Sequence, residues 1–381
     1  MSPARLLALS MWLMSACTHD PQTCDPPNAN FLPRPIQLGI AGQETGVVVR
    51  ALCTKPGAKV TSVDVTVRGP AGEEVPFTAS EPRVEGETNV ITVSFVPSVG
   101  SSIVSAEFEP NLGSVEVTLI AMHDRSHEQP VAELDLLPSC YDPHHARSLT
   151  SCLDTTLHVF LDGGLFAEAP YSRAIEGTEV LWSWNDGGVT RWLGTGRLEF
   201  PMPVAEAEAV SADDERLVLD RSGDLLEFTV TDGGMELTRT PILLGAGLGN
   251  GFFHPPIAVD GGWVFIDEAN KQSCFKAPTS PLSCAPFDYP VRSAERDGFW
   301  VDDGRIGFAR FGAGPHPIEF LSITLPRPPI GSDRTQSYGD QVFSIRPNME
   351  LELWPAFPGN VSVRPRYVYG FAGAHVKIFE R

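Results

Sequence analysis

His123 and His127 stand four residues apart in His123-Asp124-Arg125-Ser126-His127-Glu128. On a helix that spacing puts two imidazoles on one face, where they can share a zinc ion beside a carboxylate base. Asp124 occupies the place where that chemistry needs Glu, Pro130 follows closely, and no apolar helical face runs alongside. The segment therefore reads as a polar connector. His144-His145 beside Asp142 could catch a transition metal, but the pair reads as part of a solvated loop. The acidic runs Asp213-Asp214-Glu215 and Asp302-Asp303 offer oxygens to Ca²⁺ without the alternating acids of a dedicated site. A structural Ca²⁺ is left open on that basis, and no other cofactor and no metal site is expected. No GxSxG and no P-loop occurs, which removes the commonest hydrolase and nucleotide-binding chemistries.

Cysteine is the other reactive type. Seven are present. Setting Cys17 aside leaves Cys24, Cys53, Cys140, Cys152, Cys274 and Cys284, an even set of the kind a disulfide framework needs in an oxidising compartment. Chain order suggests Cys24–Cys53, Cys140–Cys152 and Cys274–Cys284, the last two closing short local loops. The absence of any CxxC speaks against zinc ligation.

The elements that must position these residues are strands. With 35 Gly and 34 Pro in 381 residues, and 42% hydrophobic residues, the chain is rich in turns and long enough for two or three cores. Seven apolar-alternating runs lie between Arg34 and Met122: Ile36 to Ile40, Gly46 to Cys53, Val63 to Val67, Val75 to Thr78, Val90 to Val96, Ile103 to Phe108 and Val115 to Ile120. Turn signals such as Gly69-Pro70 and Gly100-Ser101 separate them. The pattern is that of an Ig-like or fibronectin-like sandwich. Cys53 has no mate on a later strand of this segment, which makes Cys24 its expected partner.

Beyond a connector at 123–153 the composition shifts toward Trp, Phe and Gly-Gly turns. An internal repeat begins at residues 174, 209, 256, 292 and 335, each copy a small or polar lead-in, an acidic or Gly turn, an apolar strand, a polar turn and a second apolar strand. The spacing averages about 40 residues, the period of a four-stranded propeller blade. A further blade is expected from the two ends, Arg366 to Arg381 supplying one hairpin and Leu157 to Phe166 the other, for about six blades with five or seven allowed. Trp182, Trp184, Trp192, Trp263, Trp300 and Trp354 all fall in this region, where most should pack between blades and any left on a face would stack against a sugar or peptide.

Trp184 to Trp192, WNDGGVTRW, resembles the Asp box of sialidase-like propellers, with Asp186, Gly188, Thr190 and Trp192 at the corresponding places. Trp184 stands where that box has Ser or Thr, and Arg191 is an extra residue. The resemblance implies a folding device on a blade rim and no catalytic element. A sialidase-like enzyme would also need an Arg cluster, a Tyr nucleophile with a Glu partner and an acid Asp. Arg346 in Ser344 to Pro347 is the nearest approach to its Arg motif.

The leader has one cation at Arg5, an apolar stretch from Leu6 to Met14, and small residues before Cys17, the layout of a signal peptide. Met14-Ser15-Ala16-Cys17 resembles the bacterial lipobox, which implies lipidation at Cys17. With Thr18 next, the resemblance implies sorting to the outer membrane.

Taken together the sequence predicts an all-β protein: a signal peptide at 1–17, a tether at 18–33, an Ig-like sandwich at 34–122, a connector at 123–153 and a β-propeller at 154–381. The net charge of −20 argues against nucleic acid as a partner. The expected role is a lipid-anchored envelope lipoprotein acting as a non-catalytic binding or scaffold module for a protein or glycan. The alternative is a sialidase-like propeller glycan hydrolase or lyase. The two differ in whether carboxylates converge at the centre of the disc.

Overall fold

The computed structural model describes residues 35–52, 60–86, 88–109, 114–136, 140, 143–153, 155–221, 224–241, 254–325, 335–338, 341–364 and 366–381. Cys17, Cys24 and Cys53 lie outside them. The described residues form strands and turns with no helix, and the chain divides into two units, residues 1–124 and 125–381.

In the first unit eight strands form: β1 (Ile36–Ile40), β2 (Thr45–Leu52), β3 (Ser62–Arg68), β4 (Phe77–Ala79), β5 (Arg83–Glu85), β6 (Thr88–Phe95), β7 (Gly100–Glu109) and β8 (Ser114–Asp124). One sheet contains β3-β7-β8 with β1 parallel to β8, and another is β2-β6-β4 with β5 also on β6. Alternate residues of both sheets, such as Val47, Val49, Ile91 and Val93 from one and Val104, Ala106, Val117 and Leu119 from the other, share one core. The period of two is what allows that: every second side chain points to the same face of its sheet. The strand missed by pattern, β5, is short and largely exposed, so it has no apolar alternation to read.

The second unit is propeller-like. Four-stranded antiparallel sheets cover residues 144–170, 173–200, 208–241, 257–286 and 291–323, a sixth sheet is built on 335–354, and the seventh takes its strands from 361–380. The first strand of the first sheet lies beside that of the second, the second's beside the third's, and the third's beside the fourth's. Five of the sheets begin at residues 173, 208, 257, 291 and 335, within one residue of the five repeat starts.

The seventh sheet is completed from the start of the unit. Ala132–Asp135 pairs with His375–Glu380, in register Ala132↔Ile378 through Asp135↔His375. The expectation of Leu157–Phe166 as the closing hairpin is therefore corrected, and the sheets of this unit number seven among the described residues, the upper end of the five to seven allowed. Residues 157–166 belong to the third and fourth strands of a separate first sheet, which begins at His144. The segment 123–153, expected as a connector, holds the end of β8, the closing strand and two strands of that first sheet.

Two devices hold the closure. The Cys140–Cys152 disulfide links the chain just after the closing strand to the second strand of the first sheet. The seventh and first sheets also share a core of Leu134, Cys152, Phe160, Tyr367, Tyr369 and Ile378. On the sixth sheet, Glu352 is fully buried and takes Arg346 Nη2 at 2.6 Å, Arg125 Nε at 2.8 Å and Arg381 Nε at 2.9 Å. A carboxylate without water survives only when paired in this way. Burial alone would raise its pKa, and the hydrogen bonds and charges of Arg346 and Arg381 hold it below the ordinary 4.5. The last residue of the chain, the first of this unit and the sixth sheet thus meet on one oxygen pair. Arg125 also lies 5.5 Å from the Trp354 ring centroid, close enough for a cation–π contact.

Candidate functional site

The inner ends of the first, second and seventh sheets bring together a set of groups able to do chemistry. His144 and His145 sit on the first strand of the first sheet (His144–Ala146) and Glu176 ends that of the second (Arg173–Glu176). Arg364, Arg366, Tyr367 and Tyr369 lie where Val361–Val363 turns into Tyr367–Ala372 in the seventh. The two histidines are only 7% exposed each, so the expected solvated loop is instead a buried strand. Two adjacent residues of a strand point to opposite faces, and the pair divides its work accordingly.

His144 Nδ1 lies 3.0 Å from Glu176 Oε2. Burial would raise the Glu176 pKa, but the hydrogen bond and charge of His144, helped by Arg364, hold it below 4.5. His145 Nδ1 lies 2.9 Å from the Thr150 hydroxyl on the neighbouring strand, and its ring meets Tyr367 edge-on at 4.8 Å. Burial pushes the His145 imidazole below 6.5 against the pull of Glu176 and Glu380. The same burial, with Glu176 as an added repulsion, holds the Tyr369 phenol well above 10. Burial and Glu380 raise that of Tyr367. Tyr367 and Tyr369 share a strand face, with ring centroids 6.5 Å apart.

This is a mixed-charge, aromatic set in which the buried carboxylate orients an imidazole and stays ionised. A carboxyl group kept charged is a poor general acid, because protonating a leaving group calls for a pKa raised toward neutrality.

The motif residues take other places. Asp186 and Gly187 form the turn between Leu181–Asn185 and Gly188–Leu193, where Asn185 Oδ1 accepts the Gly187 N–H at 2.7 Å. Gly188 has φ +139°, and a Cβ there would come within 2.2 Å of the Phe200 carbonyl oxygen, so only glycine lets the next strand approach. Thr190 pairs with Ser183 in register, and Trp192 is buried and donates to Ser183 Oγ at 2.9 Å. All six tryptophans of the unit are at most 7% exposed, so none forms a stacking platform on a face. Their indole N–H groups serve the fold: Trp182 and Trp184 donate to the Asp213 and Ala207 carbonyls, and Trp354 to Ser344 Oγ. Arg346 is committed to Glu352.

The acidic loops are likewise engaged. Asp214 Oδ1 accepts the amides of Thr178 and Glu179, and Asp213 Oδ1 those of Glu215 and Arg216. Asp302 pairs with Arg292 and Asp303 with Arg305. Among the described residues no group of three or more His, Cys, Asp or Glu is arranged to hold a metal ion. His123 and Asp124 end β8, and Glu128 N donates to the Arg125 carbonyl in a turn beyond it, so the His-x₃-His spacing lies on no helix. Cys274 and Cys284 face each other in register and are bonded. A concavity of about 510 Å³ lies elsewhere in the unit, over Phe357 and Phe379, with Ser126 to Gln129 and Lys377 lining its polar side.

The sequence showed the cysteines and the turn but not the inner-end cluster. The available signal was the phase of the repeat: extending it one period back from residue 174 reaches the stretch 123–153 and suggests another first strand there.

No protein-family model matches the chain, and no curated protein matches it. Among solved structures, a streptogramin B lyase is 12% identical over 66% of this chain and 97% of its own, with a TM-score of 0.39. A structure of BBS1N in complex with ARL6DN is 13% identical over 67% and 96%, with a TM-score of 0.41. AztD of Citrobacter koseri is 9% identical over 77% and 97%, with a TM-score of 0.33. Similarity at this level bears on no site or activity of this chain.

Proposed function

We propose that the protein is an exported, lipid-anchored binding module of a bacterial cell envelope, recognising a protein or glycan through the inner end of its propeller-like unit. The observation that carries the reading is the His144–Glu176 pair with His145, Tyr367, Tyr369 and Arg364, contributed by three sheets to one place. Loops and strand ends of many sheets converging on one spot give a ligand several independent contacts. The two disulfides support export, since such bonds persist in oxidising compartments. Lipidation at Cys17, from the lipobox-like leader, supplies the anchor, and residues 18–33 the tether. The strand order β1-β8-β7-β3 against β2-β6-β4 supports an Ig-like spacer.

The experiment is a pull-down from crosslinked native membranes with the wild-type protein, a Cys17→Ala variant and a Glu176→Gln variant. One stoichiometric envelope partner, lost with Glu176→Gln, supports the reading. Equal capture by all three, or none by any, overturns it. The second reading, a glycan hydrolase or lyase, draws on the same pair, with His144 as a base oriented by Glu176. Its test is turnover of an envelope glycan that disappears in Glu176→Gln.

A further inference from the structure

The closing strand Ala132–Asp135 buries Leu134 on one side and presents Glu133 and Asp135 on the other. On the neighbouring strand His375 and Lys377 stand in register with Asp135 and Glu133, and residues paired in this way share a face of the sheet. His375 Nδ1 lies 2.9 Å from Asp135 Oδ1, and its Nε2 lies 3.2 Å from Glu133 Oε2. Lys377 Nζ lies 3.4 Å from Glu133 Oε1. One imidazole thus bridges both acids of the strand that closes the unit.

Two ring nitrogens facing two carboxylates call for a particular protonation state. Imidazolium carries an N–H on each nitrogen and serves both acids, whereas neutral imidazole has one N–H and turns a lone pair toward the other carboxylate. The remaining surroundings leave this balance to the acids. On the strand Tyr367–Ala372, Ala372 stands opposite His375, while Tyr367 and Tyr369 pair farther along with Glu380 and Ile378. The turn at 126–130 brings His127 and Glu128 to the concavity that Lys377 also lines, and Glu128 is engaged there by Arg125. The hydrogen bond to Asp135, joined by the bond to Glu133 and the charges of both, raises the His375 pKa above 6.5 against the cost of burial.

We propose that His375 is a pH-sensitive clasp on the closing strand: charged, it holds Glu133 and Asp135 together, and neutral, it releases one of them. Because the folded value is the higher one, the clasp is complete below pH 6.5 and is lost as pH rises through the raised value. The backbone ladder persists, flanked by Val131 N donating to the Ile378 carbonyl and Leu136 N to that of Ala374, each at 2.7 Å. Release therefore loosens the strand without opening the unit. The side chains of His375, Glu133 and Asp135 are 36%, 45% and 88% exposed, which keeps the effect modest. The clasp is independent of the ligand reading above.

The test uses two measurements on the full-length protein in detergent. NMR titration of the imidazole signals, assigned by their loss in His375→Gln, gives the pKa of His375. Amide-exchange protection factors, which remove the intrinsic pH dependence of exchange, give the stability of residues 132–135 from about pH 5.5 to about 8.5. A His375 pKa above 6.5 is expected, falling toward 6.5 in a Glu133→Gln, Asp135→Asn protein. Protection of residues 132–135 should drop about two- to fivefold across that range in the wild type. The drop should vanish in His375→Gln, with residues 208–241 of the third sheet unaffected in both proteins. An unshifted imidazole, protection that does not change with pH, or the same drop in His375→Gln overturns the clasp.

Discussion

Glu176 Oε2 accepts from His144 Nδ1 across 3.0 Å, and the bond joins the first strands of two neighbouring sheets in the second unit. The pair is local chemistry, but its position makes it a structural tie as well. That double role shapes what changing the pH should do.

Stability should fall on the acid side in two stages. His145 has its pKa lowered by burial from 6.5, so the unfolded chain takes up protons first and stability is lost as pH falls below about 6.5. Glu176, held below 4.5, contributes stability that is present above that value and is lost on further acidification. Tyr367 and Tyr369, both raised above 10, contribute stability that is complete below pH 10 and lost above it. Denaturant midpoints measured against pH, with His145→Asn, check the assignment. The variant should lose the first acid stage and keep the second.

The buried Glu352 should be the most sensitive single position of the closure. Glu352→Gln leaves Arg125, Arg346 and Arg381 facing a neutral amide in a buried place. The expected loss is about 3–5 kcal/mol, read by equilibrium unfolding. Arg381→Ala leaves Glu352 with two partners and should cost less. Equal and negligible losses in both would show that the cluster does not hold the unit closed.

Trp192 donates to Ser183 and Trp354 to Ser344, each at 2.9 Å and each from a third strand to a second strand. In both sheets the serine pairs in register with the residue two before the tryptophan, Thr190 in one and Glu352 in the other. The two sheets thus repeat one latch in the same register. Ser183→Ala and Ser344→Ala each leave a buried indole N–H without its acceptor and should cost about 1–3 kcal/mol. Thermal unfolding of the two variants and the double variant should show similar, additive shifts, since the sites share no contact.

The Cys140–Cys152 bond closes a loop with a sequence separation of 12, and a loop of that size contributes about 2–4 kcal/mol. Its removal should act where it straps the closure. In a Cys140→Ser, Cys152→Ser protein, amide exchange should accelerate in residues 132–135 and 375–380 before the third and fourth sheets respond. Uniform acceleration across the unit would contradict that local role.

Much of this architecture could be read from the chain. Repeat starts at 174, 209, 256, 292 and 335 fell within a residue of sheet starts because each blade opens with the same turn-strand-turn alternation. Asp162 and Gly163, with φ +50° and +77°, form the Asp-Gly hairpin turn their types predict. What escaped lies in residues 123–153. The closing strand Ala132–Asp135 has four residues, two of them acidic, and His144–Ala146 has three, two of them histidine. Strands of three or four residues are too short to establish a hydrophobic period, and the polar His144–Ala146 is buried all the same, while the closing strand buries only Leu134. Hiding those strands also hid the inner-end cluster, whose histidines looked like a solvated loop. The six tryptophans of the second unit, expected for the most part to pack inside, are all buried.

The central question is whether a bound partner covers the inner end of the second unit. Amide hydrogen exchange on the captured complex, compared with the protein alone, measures that. Protection confined to residues 144–150, 176–179 and 364–369 is the predicted result. Unchanged exchange there, with protection instead at residues 126–130 and 355–358 around the concavity over Phe357 and Phe379, would contradict it.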